Sequence, residues 1–170
     1  MNGYWILLGM MGAGKSTVGR KLADLAQVPF EDADALLERR FGRPIHQVFS
    51  IYGEETFRGH ETSILKSLDP KPGVLATGGG IVTRPENWDE LHRLGKTIYL
   101  NVPAEALMMR LEKSKRRRPL LETENWQGRF TELFDARLPL YMKADIVFDV
   151  QIEDLEACAA RLYEQLKVAQ

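Results

Sequence analysis

A chain of 170 residues with 44% apolar side chains has the size and composition of one soluble domain with a sizeable core. Its net charge of −1 supplies no global field for nucleic acid or an anionic membrane, and no apolar run approaches the length of a membrane span. Cys158 is the only cysteine, so no intrachain disulfide can form; with no basic-then-apolar leader at the N-terminus, a cytoplasmic location is expected.

A first buried strand is expected over 4–8, where Tyr4-Trp5-Ile6-Leu7-Leu8 is continuously apolar. It runs into residues 9–17, Gly-Met-Met-Gly-Ala-Gly-Lys-Ser-Thr, which fit G-x-x-x-x-G-K-[ST] with Gly9, Gly14, Lys15 and Ser16 in the fixed positions. Gly9, Gly12 and Gly14 free the backbone to turn successive N–H groups inward around phosphate oxygens. A helix over 15–26, marked by Val18, Leu22, Leu25 and Ala26, would aim its positive end at the same anion. Lys15 adds a cation for the outer phosphates, and Ser16 a hydroxyl for Mg²⁺.

The second strand, 28–31, ends in Asp32-Ala33-Asp34. Carboxylates two residues apart at a strand end point to one side if the chain stays extended, one toward a metal and the other toward a substrate hydroxyl. Asp34 also precedes a helix and suits an N-cap equally well. Helices follow at 34–41, 44–51 and 53–68; on the last, Arg58 and Glu61 stand at i, i+3 and can pair. A third strand, 73–77, runs into Thr77-Gly78-Gly79-Gly80, where the glycines permit close approach of backbone to a ligand. No aspartate directly follows this strand and no Asn-Lys-x-Asp occurs, which points away from motor ATPases and GTPases and toward small-molecule kinases.

A helix at 85–94, a strand at 96–102 and a helix at 103–112 come next. Residues 112–124 are highly charged and lack an apolar period. They read as a solvated loop, as a nucleic-acid patch made by Lys113, Lys115, Arg116, Arg117 and Arg118, or as a lid. No interleaved aromatic residues support the nucleic-acid reading. A helix over 125–142 carries Arg137, whose planar fork suits a carboxylate, although a surface salt bridge would use it equally. A last strand at 145–150 and helix at 153–168 complete the chain, with Cys158 as a small core residue. His46, His60 and His92 lack metal-ligand spacing and are expected at the surface or satisfied in partly buried places; Trp5, Trp88 and Trp126 are expected to pack. Alternating strands and helices argue a parallel sheet covered on both faces, which gathers the strand-to-helix turns into one cleft at the carboxyl edge.

In their order, these motifs resemble the shikimate kinase family from about Ile6 to Asp145. The resemblance rests on the phosphate-binding loop, Asp32-x-Asp34, Gly53-Glu54-x-x-Phe57-Arg58-x-x-Glu61, Thr77-Gly78-Gly79-Gly80, Arg118-Pro119-Leu120-Leu121 and Arg137-x-Pro139-x-Tyr141. It implies an α/β fold, a P-loop three-layer sandwich of the nucleoside monophosphate kinase type with a lid, on a five-stranded parallel sheet ordered 2-3-1-4-5. One kinase domain would span 1–170, with shikimate-binding helices over 34–68 and the lid over 112–124. The implied reaction moves the ATP γ-phosphate to the 3-hydroxyl of shikimate, in aromatic amino-acid biosynthesis.

By the same resemblance, Gly12, Ala13, Gly14, Lys15, Ser16 and Thr17 hold the nucleotide, with Arg110 near the adenine. Ser16 ligates Mg²⁺ and Asp32 supports it, while Asp34 is the candidate base on the reacting hydroxyl. Phe49, Phe57, Arg58, Gly79, Gly80 and Arg137 bind shikimate, and Arg118 reaches the transferring phosphate. The expected partners are ATP and shikimate, with neither nucleic acid nor membrane, and the chain is expected to act as a monomer. Residues 150–154, Val-Gln-Ile-Glu-Asp, depart from the Arg or Asn and Pro found there in many members, so base contacts in that loop are expected to differ. A gluconate-type carbohydrate kinase and a non-catalytic nucleotide-binding domain are the rival readings; the first does not account for Arg58 and Arg137 together with Gly79-Gly80, and intact Lys15, Ser16, Asp34 and Arg118 argue against the second.

Overall fold

The central strand β1 (Tyr4–Leu8) is buried along its whole length, as its unbroken apolar run requires of a strand covered on both faces. In this computed structural model, which describes residues 2–115, 118–151 and 154–168, β1 lies between two parallel neighbours. On one side is β3 (Gly73–Ala76), in register from Tyr4↔Gly73 to Leu7↔Ala76. On the other is β4 (Gly95–Asn101), from Tyr4↔Gly95 to Leu8↔Tyr99. β2 (Phe30–Asp32) and β5 (Ile146–Asp149) form the edges, giving the order β2-β3-β1-β4-β5 expected from the resemblance.

The helices are α1 (Lys15–Ala26), α2 (Ala33–Phe41), α3 (Ile45–Ser67), α4 (Pro85–Leu94), α5 (Ala104–Lys113), α6 (Trp126–Tyr141) and α7 (Leu155–Val168). Short 3₁₀ turns occupy Ile81–Thr83 and Pro119–Leu121. The two helices expected at 44–51 and 53–68 are the halves of α3, broken at Gly53, whose φ of 79° and ψ of 170° interrupt the spiral. β2 begins two residues later than its apolar run suggests. Gln27 adopts the left-handed conformation at φ 55°, and the Val28 N–H closes on the Ala23 carbonyl to end α1. Pro29, having no N–H, only accepts, from Val74 N. β5 starts after Asp145, where backbone N–H groups go to side chains: Thr97 N donates to Asp145 Oδ2 (2.7 Å) and Asp145 N to Thr97 Oγ1 (2.9 Å).

The main core runs from Tyr4 to Leu166 and includes Trp5, Trp88 and Cys158. A second, smaller cluster of Leu37, Val48, Phe57 and Ile64 joins α2 to both halves of α3. That satellite core fixes the α2–α3 arm over the carboxyl edge of β1 and β3. Among the described residues no helix is long and apolar enough to cross a membrane.

Candidate active site

The phosphate-binding loop has the backbone its glycines predict: φ is 151° at Gly9, 83° at Gly12 and 90° at Gly14. Gly14 caps α1 without any side-chain hydrogen bond, so the first N–H groups of that helix are left for an anion. The Lys15 ammonium folds back to donate to the Gly9 carbonyl (2.6 Å) and the Met10 carbonyl (3.0 Å). Burial pulls the Lys15 pKa down to about 8; Arg118 pushes the same way, against Asp34 and Asp32.

Beside it, Ser16 Oγ donates to Asp32 Oδ2 at 2.6 Å. The other oxygen of Asp32 accepts from Asp34 N (3.0 Å) and Ala35 N (3.3 Å). Asp32 is therefore the N-cap of α2, and the cap role that the sequence leaves open for Asp34 belongs to its neighbour. Asp34 stands in the first turn of α2 and lines the cleft. The Ser16 hydroxyl and Asp32 carboxylate are hard oxygen donors at a phosphate-binding loop. Among the described residues no three His, Cys, Asp or Glu side chains cluster as a self-contained metal cage. That donor set fits Mg²⁺, which takes one or two protein oxygens and completes its shell with water and phosphate.

Two cavities open here. One of about 270 Å³ is lined by the loop, including Gly12, Gly14, Lys15, Ser16 and Thr17, together with Asp32 and Thr77. The other, of about 300 Å³, lies under α2 and α3 and reaches Phe49, Phe57, Arg58, Glu61, Gly80 and Arg137. Met11, Asp34, Gly78, Gly79 and Arg118 line both and form the boundary between them.

The second cavity holds two buried cations in contrasting states. Arg58, 7% exposed, donates to Glu61 Oε2 at 2.6 Å and to Glu54 Oε1 at 3.3 Å. Burial works against its charge, but those carboxylates outweigh it, and the guanidinium holds its proton above the ordinary range. Burial likewise lifts the Glu61 carboxyl, while Arg58 pulls it back. Arg137 is 4% exposed and has no carboxylate paired with it among the described residues; burial lowers its pKa. A desolvated cation of this kind gains most from an incoming anion. Phe49 and Phe57, with ring centroids 4.5 Å apart, wall the cavity beside Arg58.

The glycine run has a tighter reason than ligand approach. None of Gly78, Gly79 and Gly80 has positive φ, so space is what they supply. A Cβ on Gly78 would lie 2.7 Å from Glu61 Oε1 and 3.1 Å from Asp34 Oδ1. On Gly79 it would lie 3.4 Å from Arg137 Nη1, and on Gly80 it would overlap the Arg58 guanidinium. The site's own charged side chains fill the room that the glycines leave.

Of the remaining expected residues, Ala13 is buried in the loop and Arg118 opens the 3₁₀ turn Pro119–Leu121 against both cavities. Arg110 lines neither cavity; its guanidinium donates to the carbonyls of Gly12 (3.1 Å) and Ala13 (3.4 Å). Arg116 and Arg117 of the basic run, and Ile152 and Glu153 of the adenine loop, lie outside the described residues. His46 borders the second cavity rather than plain surface. Met11, Gly78, Glu61 and Tyr141 also belong to the site. The i, i+3 pairing with Arg58 signalled Glu61, and the third glycine signalled Gly78; Met11 and His46 carried no signal.

A model of the shikimate kinase family matches residues 11–167. This chain belongs to the shikimate kinase family. The shikimate kinase of Prochlorococcus marinus (strain MIT 9313) is 44% identical over 161 residues, covering 94% of this chain and 83% of that relative. A shikimate kinase from Acinetobacter baumannii, solved in complex with shikimate, superimposes with a TM-score of 0.92 at 35% identity, covering 100% of this chain and 96% of the other. A gluconokinase from Sinorhizobium meliloti superimposes with a TM-score of 0.60 at 19% identity over 99% and 98% of the two chains, so the carbohydrate-kinase reading shares the fold alone. In this member of the family, two buried arginines, Arg58 paired with carboxylates and Arg137 with none among the described residues, line the cavity beside the glycine-rich loop.

Proposed function

We propose that this chain is an ATP-dependent shikimate kinase that forms shikimate 3-phosphate and ADP, acting in the cytoplasm as one kinase domain. The observation that carries the reading is the shared boundary. A phosphate-binding cavity and a carboxylate-ready cavity meet at Asp34, Gly79 and Arg118. The core running from Tyr4 to Leu166 supports treating the chain as a single domain.

On this reading the loop N–H groups and Lys15 hold the phosphates, and Arg118 faces the phosphoryl group from the other side. Arg137 and Arg58 take the acceptor's carboxylate, and Phe49 and Phe57 pack on its ring. That fixes which hydroxyl lies at the boundary, where Asp34 accepts its hydrogen bond and aligns it for in-line attack. Asp34 then takes the hydroxyl proton as the new bond to the γ-phosphorus forms and the bond from that phosphorus to the bridging oxygen breaks, with ADP leaving. Ser16 Oγ, with Asp32 through water, would hold Mg²⁺, whose positive charge would offset that of the phosphates. Arg118 and Pro119–Leu121 lie over the boundary and shield it from water, the competing acceptor.

An ADP-release assay with ATP and Mg²⁺ decides between the candidates. Release should need shikimate and should not respond to gluconate. Equal release with and without shikimate sinks the proposal; release with gluconate alone favours the carbohydrate-kinase reading.

A further inference from the structure

Tyr141 closes α6 one turn beyond Arg137, so i, i+4 spacing sets both on one helix face. Its ring is fully buried and stacks on Tyr99 of β4, with centroids 5.0 Å apart and planes 12° apart. Tyr99 pairs with Leu8 at the end of β1, so the stack locks the end of α6 to the strand that leads into the phosphate-binding loop. The phenol oxygen sits where three parts of the site converge. It donates to the Gly79 carbonyl at 2.5 Å and hydrogen-bonds Arg137, and it lies 3.9 Å from Met10 Sδ. Its one proton is committed to Gly79, so toward Arg137 it acts as acceptor. Burial pushes the phenol pKa up to about 12, which keeps that proton in place at working pH.

We infer that Tyr141 is a positioning residue that holds the Arg137 guanidinium and the Gly79 backbone in register for the acceptor's carboxylate. Arg137 has no carboxylate of its own to orient it among the described residues. Arg58 is held by Glu61 and Glu54. The phenol does for Arg137 what two carboxylates do for Arg58, and it does so without neutralising the charge the ligand needs. The reaction takes place at the boundary that Gly79 lines, so a shift of its carbonyl would be felt there directly.

The inference rests on the shikimate reading for its kinetic test, and a spectroscopic test stands apart from it. Tyr141→Phe keeps the ring and its stack and removes only the oxygen. A buried polar group left short of a partner costs enough to raise KM for shikimate by roughly 5–50-fold. KM for ATP should stay within about twofold of wild type, with kcat and thermal unfolding measured alongside. In an Arg137→Ala background the same change should add little, since the two act as one unit. A merely structural role would lower the melting temperature without splitting the two KM values. Unchanged KM for shikimate in Tyr141→Phe overturns the inference.

Should wild type fail to phosphorylate shikimate, the functional reading falls, and the inference is decided by ¹⁵N NMR of the ligand-free protein. The Arg137 guanidinium resonances, assigned by their loss in Arg137→Lys, should shift in Tyr141→Phe; resonances that stay in place overturn it. If Tyr141→Phe does not fold, the same bond is read from its other end. The Tyr141 ring-carbon resonance should move in Arg137→Lys, and an unmoved one counts against the inference.

Discussion

The two cavities that meet at Asp34 are made of different materials. The cavity at the glycine loop, proposed for the nucleotide, is mainly backbone: positive-φ glycines and a helix end with no side-chain cap, all within residues 9–17. The cavity proposed for the acceptor is mainly side chain, assembled from α2, α3, the glycine run, the 3₁₀ turn at Pro119–Leu121 and α6. Glycines serve both, for opposite reasons. In the loop they permit a conformation, and after β3 they vacate a volume. A site built from backbone tolerates change in its neighbours but not in its dihedrals. One built from side chains fails wherever its packing is disturbed, however ordinary the local backbone.

The sharpest test of this division is at the boundary itself. Asp34→Asn should lower kcat by roughly 10²–10⁴-fold, as for a positioned carboxylate acting on a hydroxyl, while ATP affinity measured by calorimetry stays near wild type. A kcat near wild type would show that Asp34 serves neither cavity. Next in size, Arg137→Ala should cost about 2–5 kcal/mol in apparent shikimate affinity, and KM for ATP should move much less. Lysine there should rescue only in part, having charge without the planar fork. Equal weakening of both substrates would place Arg137 on the wrong side of the division.

The glycines then separate strain from space. Gly14→Ala forces φ near 90° on a residue with a Cβ, at a cost of about 1–2 kcal/mol, and should raise KM for ATP. Gly80→Ala meets the Arg58 guanidinium instead and should raise KM for shikimate. Combined with Arg58→Ala it should add little, because the obstructed group is gone. Additive effects would argue that Gly80 acts through its backbone after all.

The mildest effect is in pH. Burial holds the Lys15 pKa at about 8 in the folded chain, against 10.5 when solvated. Phosphate favours the protonated amine, so affinity for ATP should begin to fall above about pH 8. The folded state alone responds the other way. The cost of burying the ammonium is present in full below pH 8 and is relieved between about 8 and 10.5, where the unfolded chain binds the extra proton. Lys15→Arg should flatten the binding profile, since guanidinium stays charged; a flat wild-type profile from pH 7 to 9 would contradict a lysine held at about 8.

The same contrast explains what could be read from the chain alone. The loop was visible because its causes are local: the strand 4–8, glycines at fixed spacing and the helix that follows. Most element ends followed from the alternation of patterns, and the strand order from the family resemblance alone. The start of β2 was hidden because Gln27 ends α1 in a left-handed turn, which no apolar count reveals. Asp32 and Asp34 could not be told apart as caps, since either spacing suits a helix start and only the hydrogen bonds from Asp34 N and Ala35 N decide. The glycines after β3 announced themselves, but their reason lies in Arg58 and Glu61, twenty or so residues away in sequence and adjacent only in space. His46 reaches the cavity because the first half of α3 packs beside α2, a tertiary consequence that its own stretch of sequence does not mark.

Because Met11, Asp34, Gly78, Gly79 and Arg118 line both, the two cavities adjoin. A molecule that joined a polyphosphate to a cyclic carboxylate by a short tether would span them without leaving the protein. Once one end had docked, the other would face its own cavity at millimolar effective concentration, and avidity would exceed that of either half by about 10²–10⁴-fold. The tether would have to pass Asp34 and Arg118, so its length is dictated by that shared boundary, and a longer linker would lose the advantage.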